Sequence, residues 1–177
     1  MSNRLPIEVN PFRLIEQRRS LSGGVSLQHL PRLRELVLGA EGAFAVEMDF
    51  THSASGLPMI AGRVQGGVTL ACQRCLEPVR VGVDTRLNVV LTTSQTDREP
   101  EEEGYEIYIV DDERLFLQDF IEDEILLALP VVPRHDSCQP VRPLHEASPD
   151  DVDEHEDPAQ GGRQNPFAAL KDWKKTE

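Results

Sequence analysis

Residues 68–81 read VTLACQRCLEPVRV, two cysteines three positions apart between runs in which apolar residues alternate with polar or small ones. Before them stands IAGRVQGGVTLA, and after them EPVRVGVDTRLNVVL. In the second run Val79, Val81, Val83, Leu87, Val89 and Leu91 all carry odd numbers. A period of two puts them on one face of a long ribbon. The two runs therefore predict a long antiparallel hairpin with CQRC at its tip. Glycines 62, 66, 67 and 82 are expected to allow bends or bulges along it. Cys72 and Cys75 at such a tip have three readings: a metal knuckle, a redox pair, or two small residues in a turn.

Working outward, Phe44, Val46, Met48 and Phe50 alternate with Ala45, Glu47 and Asp49, a half-buried strand, and YEIYIV near residue 107 resumes the pattern. LPIEVNPFRL opens as a short strand carrying Ile7 and Val9 and turns at Asn10-Pro11. A basic helical piece with Arg13, Gln17, Arg18 and Arg19 is expected next, stopping near Gly23-Gly24. Ser26 is the expected cap of a second helix, LQHLPRLRELVLG, with Pro31 expected to delay or kink it and Gly39 as its terminator. Residues 113–129 show apolar positions at helical spacing, with Asp112 as cap and Pro130 as stop, and Asp119, Glu122 and Asp123 on the outer, solvated face. The fold class that follows is α+β: a mainly antiparallel sheet with helices beside it, over residues 1–138. Residues 139–164, Pro-rich and acidic, read as a disordered linker. Residues 165–177 regain an amphipathic pattern through Phe167, Leu170 and Trp173, with Asn165 as cap and Pro166 at the first helical position.

The chain has 177 residues and an N-terminus, MSNRLPIEVNPF, without the apolar run of a signal peptide; no stretch of about eighteen apolar residues follows it. A cytoplasmic location is expected, where three cysteines do not make a disulfide framework. A second pair, His135-x-x-Cys138, completes a Cys3His donor set with Cys72 and Cys75, the chemistry of structural Zn2+. The pairs lie some sixty positions apart, so their meeting depends on the helix before Pro130 returning the chain to the hairpin tip. Catalytic patterns are missing: the Gly-Gly pairs lack phosphate-loop spacing, and no nucleophile-elbow serine or His-Glu-x-x-His helix occurs. A non-enzymatic protein without a small-molecule substrate is expected.

Net charge is −13, unevenly spread. Residues 1–94 hold ten arginines against eight acidic residues, whereas residues 95–177 hold eight basic residues against twenty-three acidic ones. All three lysines fall in the last seven residues, so the basic half is entirely arginine, the side chain suited to bidentate phosphate contact.

A Gly-x-Val strand leading into Cys72-Gln73-Arg74-Cys75-Leu76-Glu77-Pro78, an acidic helix ending Asp123-Glu124-Ile125-Leu126-Leu127-Ala128-Leu129-Pro130, and the C-terminal Asn165-Pro166-Phe167-x-x-Leu170 together resemble the bacterial YceD family of large ribosomal RNA subunit accumulation proteins. The resemblance implies a role in synthesis, processing or accumulation of large-subunit (23S) ribosomal RNA, with no established catalytic reaction. It carries the CxRC motif onto Cys72, Arg74 and Cys75, and the tail motif onto Asn165, Pro166, Phe167 and Leu170. Within that role two contacts compete. Precursor ribosomal RNA would meet Arg18, Arg19, Arg63, Arg74 and Arg80, while a basic ribosomal protein would be drawn to the acidic half. Few aromatic side chains are available for base stacking, which favours the protein partner. A zinc-stabilised adaptor for a non-ribosomal complex is the alternative.

Overall fold

Strict alternation in the sequence becomes a sheet because every second side chain can be buried at once. The structure, a computed structural model, describes residues 4–39, 41–93 and 105–141. In chain order the elements are β1 (Glu8–Val9), α1 (Pro11–Glu16), β2 (Ser20–Ser26), a 3-10 turn (Leu27–His29), α2 (Pro31–Leu36), β3 (Ala43–His52), β4 (Pro58–Ala71), β5 (Pro78–Thr92), β6 (Glu106–Ile109), β7 (Leu115–Phe116) and α3 (Leu117–Ala128). Five strands form one sheet in the order β2-β3-β4-β5-β6, antiparallel except for the parallel β5–β6 pair, and β1 pairs with β7 in a small second sheet. The architecture is α+β, dominated by the hairpin β4–β5, whose ladder runs without interruption from Met59↔Val90 to Ala71↔Pro78. Cys72 and Cys75 lie in its tip.

The inner face carries Phe44, Val46, Met48 and Phe50 from β3, Ile60, Val64, Val68 and Leu70 from β4, and Val79, Val83, Leu87, Val89 and Leu91 from β5, all buried. Ile15 of α1, Leu33 of α2 and Leu117, Phe120, Ile121 and Ile125 of α3 join the same core. Tyr108 of β6 meets Phe120 edge to face at 5.4 Å. Helix α3 has no side-chain cap. Its four buried apolar residues, each contributing roughly 2 kcal/mol, are what hold it on the sheet.

Several local expectations are corrected by this packing. The first helix ends at Glu16, and Arg18 turns the chain with φ 49° so that Ser20–Ser26 pairs along β3 instead of extending the helix. Gly23 and Gly24 are strand residues. Ser26 caps the 3-10 turn by accepting from the Gln28 N–H, and α2 begins afresh at Pro31. Asp112 sits at φ 51° in a separate 3-10 turn, so α3 starts only at Leu117. The hairpin glycines make no bulge. A Cβ on Gly62 would land on the Glu47 carbonyl oxygen, and one on Gly66 would land on the Phe44 ring. These two are places where β3 comes too close for a side chain. The segments expected as linker and tail lie outside the described residues, apart from the first few of the linker.

Glu122, expected on the solvated side of α3, is 1% exposed. Its Oε1 accepts from the Leu33 N–H at 2.9 Å and its Oε2 from Arg32 Nε at 3.0 Å. Helix α2 has no side-chain cap of its own, so the carboxylate of α3 supplies one across the core.

Glu124, also on α3, is 9% exposed. Burial, and after it the charges of Glu106 and Asp123, push its carboxyl up to about 7. An acid whose folded value exceeds its unfolded one binds more protons when folded, so stability falls as pH rises from about 4.5 to about 7. Glu124→Gln should therefore be more stable than wild type by about 2 kcal/mol at pH 8, and no more stable at pH 4. Urea unfolding at both values checks this. Equal stability at pH 8 would refute it.

Candidate metal centre

The β4–β5 ladder closes at Ala71↔Pro78, and residues 72–77 make the turn beyond it. The Cys72 N–H donates to the Glu77 carbonyl at 2.9 Å and the Leu76 N–H to the Cys72 carbonyl at 2.8 Å, with Leu76 left-handed at φ 62°. This tight turn holds both cysteine side chains at the tip. Pro130 prevents α3 from continuing, and the following loop runs back across the tip. Backbone bonds hold it there on both sides: Gln73 N–H to the Pro133 carbonyl at 2.8 Å, and Val141 N–H to the Arg74 carbonyl at 3.1 Å. The Gln73 side-chain amide adds a bond to the Val131 carbonyl at 3.3 Å.

This return brings His135 and Cys138 to Cys72 and Cys75. The four ligand atoms all lie within 4.8 Å of one another, close enough to hold a metal ion. Cys72 Sγ and Cys138 Sγ are 3.7 Å apart, and Cys75 Sγ and His135 Nδ1 3.4 Å. An ion 2.3 Å from sulfur and 2.0–2.1 Å from nitrogen at tetrahedral angles needs roughly 3.8 Å between two sulfurs and roughly 3.6 Å between sulfur and nitrogen. The Cys72–Cys138 and Cys75–His135 separations fit that requirement. His135 Nε2 is 3.1 Å from the Pro78 carbonyl oxygen, which can only accept, so Nε2 carries the proton. Nδ1 is then the free lone pair, turned toward the sulfurs, the arrangement that orients a ligating imidazole.

The thiols are unlike one another. Burial disfavours the Cys72 thiolate, but hydrogen bonds from the backbone of Cys75, Arg74 and His135 outweigh it and bring the thiol down to about 5. The Glu77 backbone works to lower Cys75, yet burial and the sulfurs of Cys72 and Cys138 carry it above the usual thiol range. Arg74 is half-buried: its Nε donates to Cys138 Sγ at 2.9 Å and its Nη2 to the His135 carbonyl at 3.0 Å.

The other nominated arginines are scattered. Arg63 is bound bidentately by Asp84, with both bonds at 2.6 Å, on the open face of the sheet. Arg18 and Arg19 are exposed at the entry to β2, and Arg80 is exposed on β5 beside the Gly67 backbone. Asn165, Pro166, Phe167 and Leu170 lie outside the described residues. Sequence reasoning missed the inward turn of Arg74 and the part played by the Pro78 carbonyl. For the first there was a signal, an arginine placed between two candidate ligands. For the second there was none, since a backbone carbonyl has no residue type. No helix among the described residues is long and apolar enough to cross a membrane.

The family model described as large ribosomal RNA subunit accumulation protein YceD matches residues 60–174. A large ribosomal RNA subunit accumulation protein YceD from Haemophilus influenzae (strain ATCC 51907 / DSM 11121 / KW20 / Rd) is 33% identical over 137 residues, covering 76% of this chain and 78% of its own. No solved structure matches the chain.

Proposed function

The chain belongs to the YceD family of large ribosomal RNA subunit accumulation proteins, and from that premise we propose that it is a non-catalytic ribosome-biogenesis factor, held in shape by a structural zinc ion and recruited by a basic protein partner. Zinc is the ion that a tetrahedral Cys3His set selects, and closure by four protein ligands suits structure rather than catalysis.

The observation that carries the partner is the arrangement of charge. Of the five arginines nominated for RNA contact, Arg63 is matched by Asp84 and Arg74 is turned to Cys138, which leaves the adjacent pair Arg18 and Arg19 at the entry to β2 and Arg80 on β5, three strands away in the sheet. Acidic residues, by contrast, gather where β6 meets α3. Tyr108 is raised above the usual phenol range by burial and then by Asp123, Asp119 and Asp111, and Glu124 feels both Glu106 and Asp123. A negative edge of this kind attracts a basic ribosomal protein and repels bare RNA. Asn165, Pro166, Phe167 and Leu170 are proposed as a second contact to the same partner, and precursor ribosomal RNA as a secondary one.

In gradient sedimentation of cell extracts at low salt, the protein should travel with large-subunit precursors. The triple variant Glu106→Gln, Asp111→Asn, Asp119→Asn should weaken this association about tenfold, and Arg18→Ala, Arg19→Ala, Arg80→Ala much less. The opposite ranking would transfer the contact to RNA. Absence of the wild-type protein from precursor fractions would leave the non-ribosomal adaptor.

A further inference from the structure

We infer that Arg74 is a positioning residue of the metal centre, whose guanidinium neutralises the thiolates and shields the Cys138 sulfur. This rests on the structural-zinc reading above. Three thiolates and a neutral imidazole around a divalent ion leave one net negative charge in a half-buried place. Among the described residues Arg74 is the only cationic side chain that donates a hydrogen bond to any of the four ligand residues.

Its position follows from the sequence in three steps. Residue 74 sits between Cys72 and Cys75, in the turn that the ladder closes at Ala71↔Pro78. Its carbonyl is fixed by the Val141 N–H, beyond Cys138, so the returning loop is anchored to this residue's backbone. Its side chain then reaches the same loop with two adjacent edges of one rigid plane, Nε to Cys138 Sγ and Nη2 to the His135 carbonyl. One residue of the hairpin therefore sets the placement of both ligands that the loop contributes. A lysine keeps the charge but not the fork, because an ammonium is a compact point charge on a flexible stem.

The N–H···S bond also has a chemical consequence. It draws electron density from the Cys138 sulfur, and a less electron-rich thiolate attacks an electrophile more slowly. Cys72 is fully buried and receives no bond from this side chain, so the protection is specific to Cys138.

The test uses the full chain as wild type, Arg74→Lys and Arg74→Gln, loaded with zinc. Affinity is read by competition with a chromogenic chelator, and reactivity by the rate of alkylation with N-ethylmaleimide at each cysteine, mapped by mass spectrometry. Loss of a group that orients a metal ligand typically costs 10–100-fold in affinity, and that fall is expected for Arg74→Gln, with Arg74→Lys in between. Alkylation should accelerate at Cys138 more than at Cys72. Wild-type affinity together with a wild-type Cys138 rate in Arg74→Gln would overturn the inference, and so would an acceleration equal at all three cysteines. Should Arg74→Gln fail to fold, Arg74→Lys carries the same comparison: a wild-type Cys138 rate there would overturn it. A wild-type protein that binds no zinc would instead overturn the structural-zinc reading first, and this inference with it.

Discussion

Cys72→Ser should purify without zinc and melt about 10 °C below the wild type, which should carry one zinc per chain. Serine nearly matches cysteine in size, so the buried position keeps its packing and the change isolates the metal ligand. What is lost is the tie between the hairpin tip and the loop after α3. Five backbone and side-chain hydrogen bonds at Gln73 and Arg74 still stitch that loop in place. A ligand that binds only the folded state stabilises it through mass action, and a structural zinc held across such a loop should contribute about 3 kcal/mol at modest metal excess. In a domain of this size that corresponds to roughly 10 °C. The domain should nevertheless stay folded, unlike an isolated zinc finger, because Phe44, Phe50, Phe120 and their neighbours form a large core in which Cys72 is one residue among many. A strong chelator should lower the wild-type midpoint to that of Cys72→Ser and leave the variant unmoved; Cys138→Ser should behave as Cys72→Ser does. Thermal melts with and without chelator, beside elemental analysis, read all of this. A variant with the wild-type midpoint and wild-type zinc would remove the knuckle as a metal site.

The hairpin is legible because a period of two runs through most of β5, with Val79, Val83, Leu87, Val89 and Leu91 buried on one face and Val81 half-buried among them; it lapses only near the strand's end, where Val90 is buried as well. The metal cluster was legible in residue type: Cys-x-x-Cys and His-x-x-Cys name a donor set whatever the fold. Only the meeting of the two pairs needed the structure, and it turns on α3 stopping before Pro130 so that Pro133 reaches the Gln73 N–H. The misread stretches were short ones. Residues 11–19 carry enough apolar and basic residues for a helix, but a helix of this length gains little by itself, and pairing of Ser20–Ser26 along β3 wins. Asp112 has the residue type of a cap, but Leu115 and Phe116 are taken by β7 before the helix can begin. At Gly62 and Gly66 a missing side chain looks the same in sequence whether the backbone bends there or is approached closely. Glu122 was the most consequential case. Spacing places it one residue from Ile121 and one from Asp123, and periodicity alone cannot tell the edge of a buried face from the start of a solvated one. What buries it is the unpaired N-terminus of α2, about ninety residues earlier in the chain.

That contact gives the second large effect. Glu122→Ala should cost about 3 kcal/mol and lower the midpoint by roughly 10 °C, whereas Glu122→Gln should cost about half as much. Alanine leaves the buried Leu33 N–H without an acceptor, uncaps α2 and empties the space beside Leu33. Glutamine keeps one carbonyl oxygen for the Leu33 N–H but turns its amide N–H toward Arg32 Nε, donor against donor, and loses the charge pair. The loss of the pair itself is modest, because burial here is one-sided: Arg32 is 50% exposed and still bonds to Asp123 and to the Asp119 carbonyl. The ranking Ala well below Gln therefore separates the two contributions. If the hydrogen bond to Leu33 dominates, as its buried geometry argues, Arg32→Ala should cost well under half of Glu122→Ala, since it leaves that bond in place. Denaturant unfolding of the three variants measures each cost. Equal losses in Glu122→Ala and Arg32→Ala would show instead that the ion pair, and not the cap, joins α2 to α3.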